Sequence, residues 1–227
     1  MSNEWEVTCN RYVAFIDIMG FKDMVMRMPH DDVYQLMLKI NGHRKFSESV
    51  DWHDNKIYLA KSTTYSDSII VYSKDDSFDS LDFLISTVAS LSNYLFTEAI
   101  PHKGAVAFGR LTLDLPNSIF FGQPLIDAYL LQEEVMYYGI LFHASADLEI
   151  ADKKHYIPIF TYKYLCPLKN GNANHDTIYP FYARLKDINK ISFDDLMAGI
   201  QKLKFQTSGH LRKYIDNTEA YLESVSR

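Results

Sequence analysis

Two aspartates stand where an acid is costly to place. Asp17 interrupts the apolar run Tyr12-Val13-Ala14-Phe15-Ile16 and is followed by Ile18-Met19-Gly20-Phe21. Asp67 stands in Tyr65-Ser66-Asp67-Ser68, at the mouth of the apolar run Ile69-Ile70-Val71. A carboxylate inside a buried strand is strongly unfavourable unless it is paired or bound to a cation. If the two strands are neighbours, the carboxylates converge. Such a pair can hold one or two Mg²⁺ or Mn²⁺ ions together with the phosphates of a substrate. Gly20 lets backbone N–H groups near Ile18 and Phe21 approach an anion, and the helix that follows adds the favourable end of its dipole. Each acid also has a plain structural reading, Asp17 as a cap of the next helix and Asp67 as an ordinary turn residue. Residue types leave both readings open.

The elements that must position these residues alternate. Residues 11–19 are nearly continuously apolar and predict a buried central strand. Residues 21–28 and 31–40 predict helix, interrupted near Pro29, with Asp31 and Asp32 in a new first turn. Residues 56–63 and 67–73 predict two strands joined by a tight connection. Residues 79–96 have helical apolar spacing, with Asp79 or Ser80 near the cap. Residues 102–111 predict a strand. The segment from Phe120 turns from strand to helix at Gly122, where Pro124 is acceptable in the first turn. Residues 140–150, 157–165 and 177–185 predict later strands, with 170–175 as a loop. From about 191 the pattern is helical, with a break at Ser208-Gly209. The C-terminal helix, with Lys202, Lys204, Arg212 and Lys213 among acids, predicts a solvated amphipathic surface.

This order is compatible with an α+β, ferredoxin-like (βαββαβ) core carrying extra strands and helices. We expect one domain over 1–227, with a core at about 11–135 and with 136–227 completing the sheet and adding a helical extension.

The composition excludes several classes. Hydrophobic residues are 47% and charged residues 23% of the 227, values of an ordinary globular chain and not of a disordered one. A chain of this length buries roughly 70% of its unfolded surface and needs no staples. The 29 acids against 23 bases give a formal charge of −6. That argues against sequence-independent nucleic-acid binding. Cys9 and Cys166 alone form neither a disulfide framework nor a zinc site. The acidic N-terminus lacks the apolar stretch of a signal peptide, and no apolar run reaches membrane-spanning length. The expected location is cytoplasmic. The eight His show no zinc spacing, and no P-loop or Gly-x-Ser-x-Gly is present.

Phe15-x-Asp17-Ile18-x-Gly20-Phe21 resembles the first metal motif of the class III nucleotide cyclases. Ser66-Asp67 sits where that family usually has Gly-Asp with its second metal ligand. Phe121-Gly122-Gln123-Pro124-Leu125 resembles the Trp-Gly-x-x-Val stretch that opens a later helix. The run of motifs over about 11–135, including 103–109, is most similar to the pyrimidine cyclases of bacterial Pycsar antiphage systems. The resemblance implies two divalent ions, Mg²⁺ or Mn²⁺, on Asp17, Asp67 and the Ile18 backbone, with phosphates near Gly20 and Phe21. It also implies a head-to-tail homodimer with shared sites, and a separately encoded effector activated by the cyclic nucleotide.

The departures from the purine cyclases are informative. The base-reading Lys of that family falls on Thr63, and its second reader falls on Ile119. Its transition-state Asn and Arg fall on Ile126 and Leu130. A site without its buried polar readers loses discrimination for that base. Tyr65 shares a strand face with Thr63 and Asp67 by parity and would narrow a base pocket, unless it packs in the core. Lys103 is a candidate phosphate or base contact, with a solvated strand-end lysine as the alternative; Arg110 is a further candidate. The function this implies is conversion of UTP to 3′,5′-cyclic UMP and pyrophosphate by two-metal in-line attack. The alternatives are CTP as substrate, or an inactive nucleotide-binding homologue.

Overall fold

β1 (Thr8–Ile18) is the centre of the molecule, because both neighbours pair along it and its side chains from Tyr12 to Ile16 are buried. The structure is a computed structural model and describes residues 4–47, 50–52, 55–153, 161–181 and 191–226. After β1 the chain turns at Gly20, whose φ of 77° is the left-handed conformation glycine adopts without strain. α1 (Phe21–Arg27) follows, then α2 (His30–Ser47). The break falls at Pro29, whose carbonyl accepts from the backbone N–H groups of Asp32 and Val33.

β2 (Val50–Trp52) and β3 (Asn55–Ile57) form a two-stranded sheet of their own. β4 (Ala60–Tyr65) and β5 (Ser68–Ser73) form a tight hairpin, with Ser66 at φ 54°. The strand expected over 56–63 is therefore two strands, divided at Tyr58-Leu59. α3 (Phe78–Thr97) is capped by Ser77, whose hydroxyl accepts from Ser80 N–H. Asp79 and Ser80 lie inside the first turn, because Asp75 already anchors the hydroxyls of Ser77 and Ser80.

β6 (His102–Asp114) returns beside β1, β7 (Ile119–Gly122) folds back on it, and α4 (Gln123–Glu134) starts at Gly122 with Pro124 in its first turn. β8 (Gly139–Phe142) pairs parallel to β6. The expected strand over 140–150 ends at Phe142, because the His143 carbonyl accepts from Ala146 N–H and starts α5 (Ala144–Lys153). β9 (Thr161–Leu168) and β10 (Gly171–Ile178) form a hairpin. The loop expected over 170–175 is thus a short turn and most of β10. The expected strand segments 157–160 and 182–185 lie outside the described residues, as do His53 and His155. α6 (Phe193–Gln206), a short 3₁₀ turn and α7 (Arg212–Val225) close the chain. Ser192 and Asp195 cap α6 reciprocally.

The main sheet runs β4-β5-β1-β6-β8-β10-β9. Its first four strands, all antiparallel to their neighbours, have the ferredoxin-like order. α2 and α3 cover the face that carries Tyr12, Ala14, Ile16 and Ile18. α4 covers part of the opposite face through Leu125 and Ala128 on Phe15 and Ala107. A second core joins α6 and α7 to β8 and β9. There α6 crosses α3 so closely that a Cβ on Gly199 would lie 1.8 Å from the Phe96 carbonyl oxygen. Gly199→Ala is therefore expected to cost about 2–3 kcal/mol, read as a lowered urea midpoint. An unchanged midpoint would mean the crossing is looser than this.

Among the described residues no helix is long and apolar enough to cross a membrane. Cys9 and Cys166 are free thiols.

Candidate functional site

β1 places Asp17 opposite Ser68 of β5 on one side and opposite Lys103 of β6 on the other. Directly opposed residues of an antiparallel pair project to the same face. Tyr65 in turn pairs with Ser68, and Thr63 with Ile70. Thr63, Tyr65, Asp17 and Lys103 therefore share the face that α4 partly covers. Asp67 lies in the two-residue hairpin turn, where strand parity does not apply. Its carbonyl accepts the Ile18 N–H at 2.9 Å, which ties the turn to the end of β1.

The carboxylates of Asp17 and Asp67 are close enough to sense each other. Burial, first, and then repulsion from Asp67 push Asp17 up to about 6, with Lys103 acting in the opposite direction. A half-buried carboxylate pair in this condition is relieved by a cation. Its hard oxygen donors suit Mg²⁺ or Mn²⁺. Among the described residues no group of three or more His, Cys, Asp or Glu is arranged to hold a metal. Two aspartates therefore fit the implied ions as a partial ligand set, to be completed by backbone, water and phosphate oxygens.

Gly20 precedes α1 without a side-chain cap, and a Cβ there would meet nothing within 4 Å. The approach to the backbone is open at Gly20, while the N–H groups of Ile18 and Met19 are taken by the carbonyls of Asp67 and Pro101, each at 2.9 Å. Phe21 itself is half-buried against the main core. The Ile18 side chain is buried on the α2–α3 face, so only its backbone is available to the site.

Tyr65 is 79% exposed. It does not pack in the core and stands at the end of β4, paired with Ser68, which is itself opposite Asp17. Thr63 is half-buried on the same face. Lys103 is not a solvated strand-end lysine: it is 5% exposed. Its Nζ donates to the Glu133 carbonyl oxygen at 3.2 Å. Burial lowers its affinity for a proton, and the charges of Glu133 and Asp17 oppose that. Arg110 is exposed, opposite Asn10, and seven register positions from Lys103. That is roughly 23 Å along the strand and on the other face, so Arg110 does not share the Asp17 site of its own chain.

Residue types did not reveal two neighbours. Glu133, at the end of α4, adds negative charge near Asp17. It also pairs with Lys169 at 3.6 Å. Tyr214 of α7 is buried, stacks on Tyr138 at 6.0 Å, and is held up by burial and by the charges of Glu133 and Asp17. Nothing local in the sequence links 214 to 17. The positions aligned with the purine cyclases' transition-state groups, Ile126 and Leu130, are exposed on α4, as is Ile119 on β7.

No family model and no curated protein matches the sequence. Solved structures do match the fold. A bacterial light-regulated adenylyl cyclase is 11% identical over 86% of this chain and 98% of its own, with a TM-score of 0.53. The catalytic core of a rhodopsin-guanylyl cyclase with converted specificity, in complex with ATPαS, is 16% identical over 77% and 97%, with a TM-score of 0.55. The guanylate cyclase domain from Catenaria anguillulae, in complex with GTP, is 16% identical over 78% and 97%, with a TM-score of 0.53. The fold of this chain is that of the class III nucleotide cyclases.

Proposed function

We propose that the protein is a pyrimidine nucleotide cyclase that converts UTP to 3′,5′-cyclic UMP and pyrophosphate. The observation that carries this reading is the convergence of Asp17 and Asp67 at one end of adjoining strands in a cyclase sheet. Asp17, Asp67 and the Ile18 backbone would hold two divalent ions. When bound, such ions supply the charge that acidifies the ribose 3′-hydroxyl and stabilises the departing pyrophosphate. The chain's own residues do the rest. The register of β1 and β5 sets the aspartates, and the open backbone after Gly20 presents N–H donors to phosphate oxygens. Catalysis on this reading is mostly positioning and electrostatics.

The choice of a pyrimidine rests on what surrounds the base. Thr63 and Ile119 offer no counterpart of the purine readers, and Tyr65 projects beside the site as an exposed ring. The exposed apolar side chains Ile119, Phe121, Ile126, Tyr129 and Leu130, on β7 and α4, support a homodimer that buries this surface. The resemblance to Pycsar cyclases extends the reading to antiphage signalling through a separate effector in the cytoplasm.

The test is incubation with ATP, GTP, CTP or UTP and Mn²⁺, with mass spectrometry of products. Cyclic UMP is expected from UTP alone, and a purine product would overturn the base assignment. Tyr65→Ala is expected to lower the preference for UTP about tenfold or more, since base–aromatic stacking is worth about 1–3 kcal/mol. An unchanged preference removes Tyr65 from the pocket. Exposed Ile126 and Leu130 favour a second reading, an inactive nucleotide-binding homologue. That reading requires Mn²⁺-dependent UTP binding with no product.

A further inference from the structure

The turn between α6 and α7 is unlike the rest of the surface. Residues 196–215 include Lys202, Lys204, Arg212 and Lys213 and not one Asp or Glu, in a chain whose formal charge is −6. α6 ends and α7 begins inside that stretch, so its cations gather at one tip of the helix pair. Acids resume away from the tip, at Asp194 and Asp195 in the first turn of α6 and from Asp216 onward in α7. Lys204 pairs with Glu219 at 2.6 Å and Arg212 with Asp216 at 3.5 Å. Lys202 and Lys213 are exposed and have no ion-pair partner among the described residues. Two apolar side chains stand between them. Phe205 is 87% exposed, more than any other large apolar side chain among the described residues, and Leu211 is 44% exposed. Phe205 follows Lys202 by three positions and so shares its side of α6.

Local stability does not explain this arrangement. Lys213 lies in the first turn of α7, where the positive end of the helix dipole disfavours a cation and where no acid stands. The turn is nonetheless firmly built. Arg212 Nη1 donates to the carbonyls of Lys204 and Thr207, at 2.8 and 3.3 Å, and so ties the start of α7 to the end of α6. Phe205 and Leu211 are thus presented on a fixed corner. At its exposure Phe205 has no wall of neighbours, so a partner must supply the surface around it. A fluid layer of anionic headgroups does this without a matching pocket, and its charge complements the cations. We propose that the α6–α7 turn docks the protein on an anionic lipid bilayer, with Phe205 and Leu211 entering the interface and Lys202 and Lys213 lying against lipid phosphates. One ring, one aliphatic side chain and two cations make a weak, reversible contact and not an anchor. This docking is independent of the chemistry assigned to Asp17 and Asp67.

The test is cosedimentation of the full chain with vesicles of phosphatidylcholine mixed with phosphatidylglycerol, and with vesicles of phosphatidylcholine alone, at low and at high salt. The net negative charge of the chain by itself predicts repulsion from the mixed vesicles, so binding to them is diagnostic. The protein is expected to pellet with the mixed vesicles at low salt, to be released at high salt, and to stay in solution with phosphatidylcholine alone. Phe205→Ser is expected to weaken binding about tenfold, from the loss of a buried ring. Lys202→Gln combined with Lys213→Gln is expected to weaken it by about tenfold or more. All three substitutions change exposed side chains, and an unchanged urea midpoint checks that each variant is folded. No binding to the mixed vesicles overturns the proposal, as does binding that ignores these substitutions or is equal with phosphatidylcholine alone. Soluble polyglutamate bound as tightly as the mixed vesicles, with Phe205→Ser without effect on either, would assign the tip to an acidic protein and overturn the lipid.

Discussion

Asp17→Asn is expected to reduce nucleotide turnover by at least about a thousandfold and, in the same protein, to raise stability at neutral pH. The loss follows from the assigned role: an amide oxygen is a weaker ligand for a hard divalent ion, and the charge it must offset in the transition state is then uncompensated. The gain follows from the state of Asp17 in the metal-free fold. Burial and the neighbouring Asp67 raise it to about 6 from an ordinary 3.8. A carboxyl raised in the folded state keeps its proton there after the unfolded chain has lost its own. Folded protein then binds more protons than unfolded protein between about 4 and 6, so stability falls as pH rises through that window. Below it the group is neutral in both states and costs nothing. Above it the full penalty is present, about 1–2 kcal/mol after allowance for partial solvent screening.

Asn carries no such penalty. Urea denaturation in metal-free buffer should therefore show the two proteins converging near pH 4 and the variant ahead at pH 7–8. Added Mn²⁺ should narrow the gap by stabilising only the unaltered protein. Turnover retained in Asp17→Asn would remove Asp17 from the metal site. Equal stability at every pH would mean that its carboxyl is not held in this environment. Asp67→Ala should lose turnover to a similar extent, because neither carboxylate alone makes a two-ion site.

Deleting residues 212–227 is expected to abolish cooperative folding. α7 buries Tyr214, Ile215, Thr218, Tyr221, Leu222 and Val225 along one side. Tyr221 is central. Its hydroxyl donates to the Ile178 carbonyl at 2.9 Å. Its ring lies 5.1 Å from Tyr137 and 5.0 Å from Tyr164. Two further contacts fasten the helix to the segment after α4: Thr218 accepts the Tyr138 N–H at 2.8 Å, and Asn217 donates to the Met136 carbonyl at 2.7 Å. Burying each large apolar side chain contributes about 1.5–3 kcal/mol, and four or more such groups together are comparable to the whole net stability of an ordinary domain.

Tyr221→Ala is the graded form of the same test, with an expected cost of about 3–5 kcal/mol. Near-ultraviolet circular dichroism and urea titration read both. A truncated chain with an undiminished cooperative transition would show that α7 is an appendage. The same contacts connect α7 to the turn below Glu133, so partial loosening of α7 should weaken Mn²⁺–nucleotide binding before it unfolds the sheet.

Local chemistry made much of the chain legible. The apolar run of β1, the break at Pro29 and the turn into α4 at Gly122 all depend on residues within a few positions of one another, and the structure keeps each of them. The readings that failed lacked such a local signal. Residues 140–150 are apolar enough for either a strand or a helix, and the bond from Ala146 N–H to His143 decides it. Residues 170–175 are turn formers by composition, yet pairing with β9 makes most of them a strand. The charges of the C-terminal helix describe its wet side, while its tyrosines find partners more than forty residues away.

For the site, residue types alone marked Asp17, Asp67 and Gly20 as candidates, because an acid in or beside an apolar run is anomalous whatever surrounds it. Only the tertiary structure decided that Ser68 and Lys103 flank Asp17, that Arg110 is remote, that Tyr65 is exposed, and that Glu133 and Tyr214 belong to the neighbourhood. Each of these depends on strand register or helix docking. Such contacts join residues tens to hundreds of positions apart, and no local pattern of residue types encodes them.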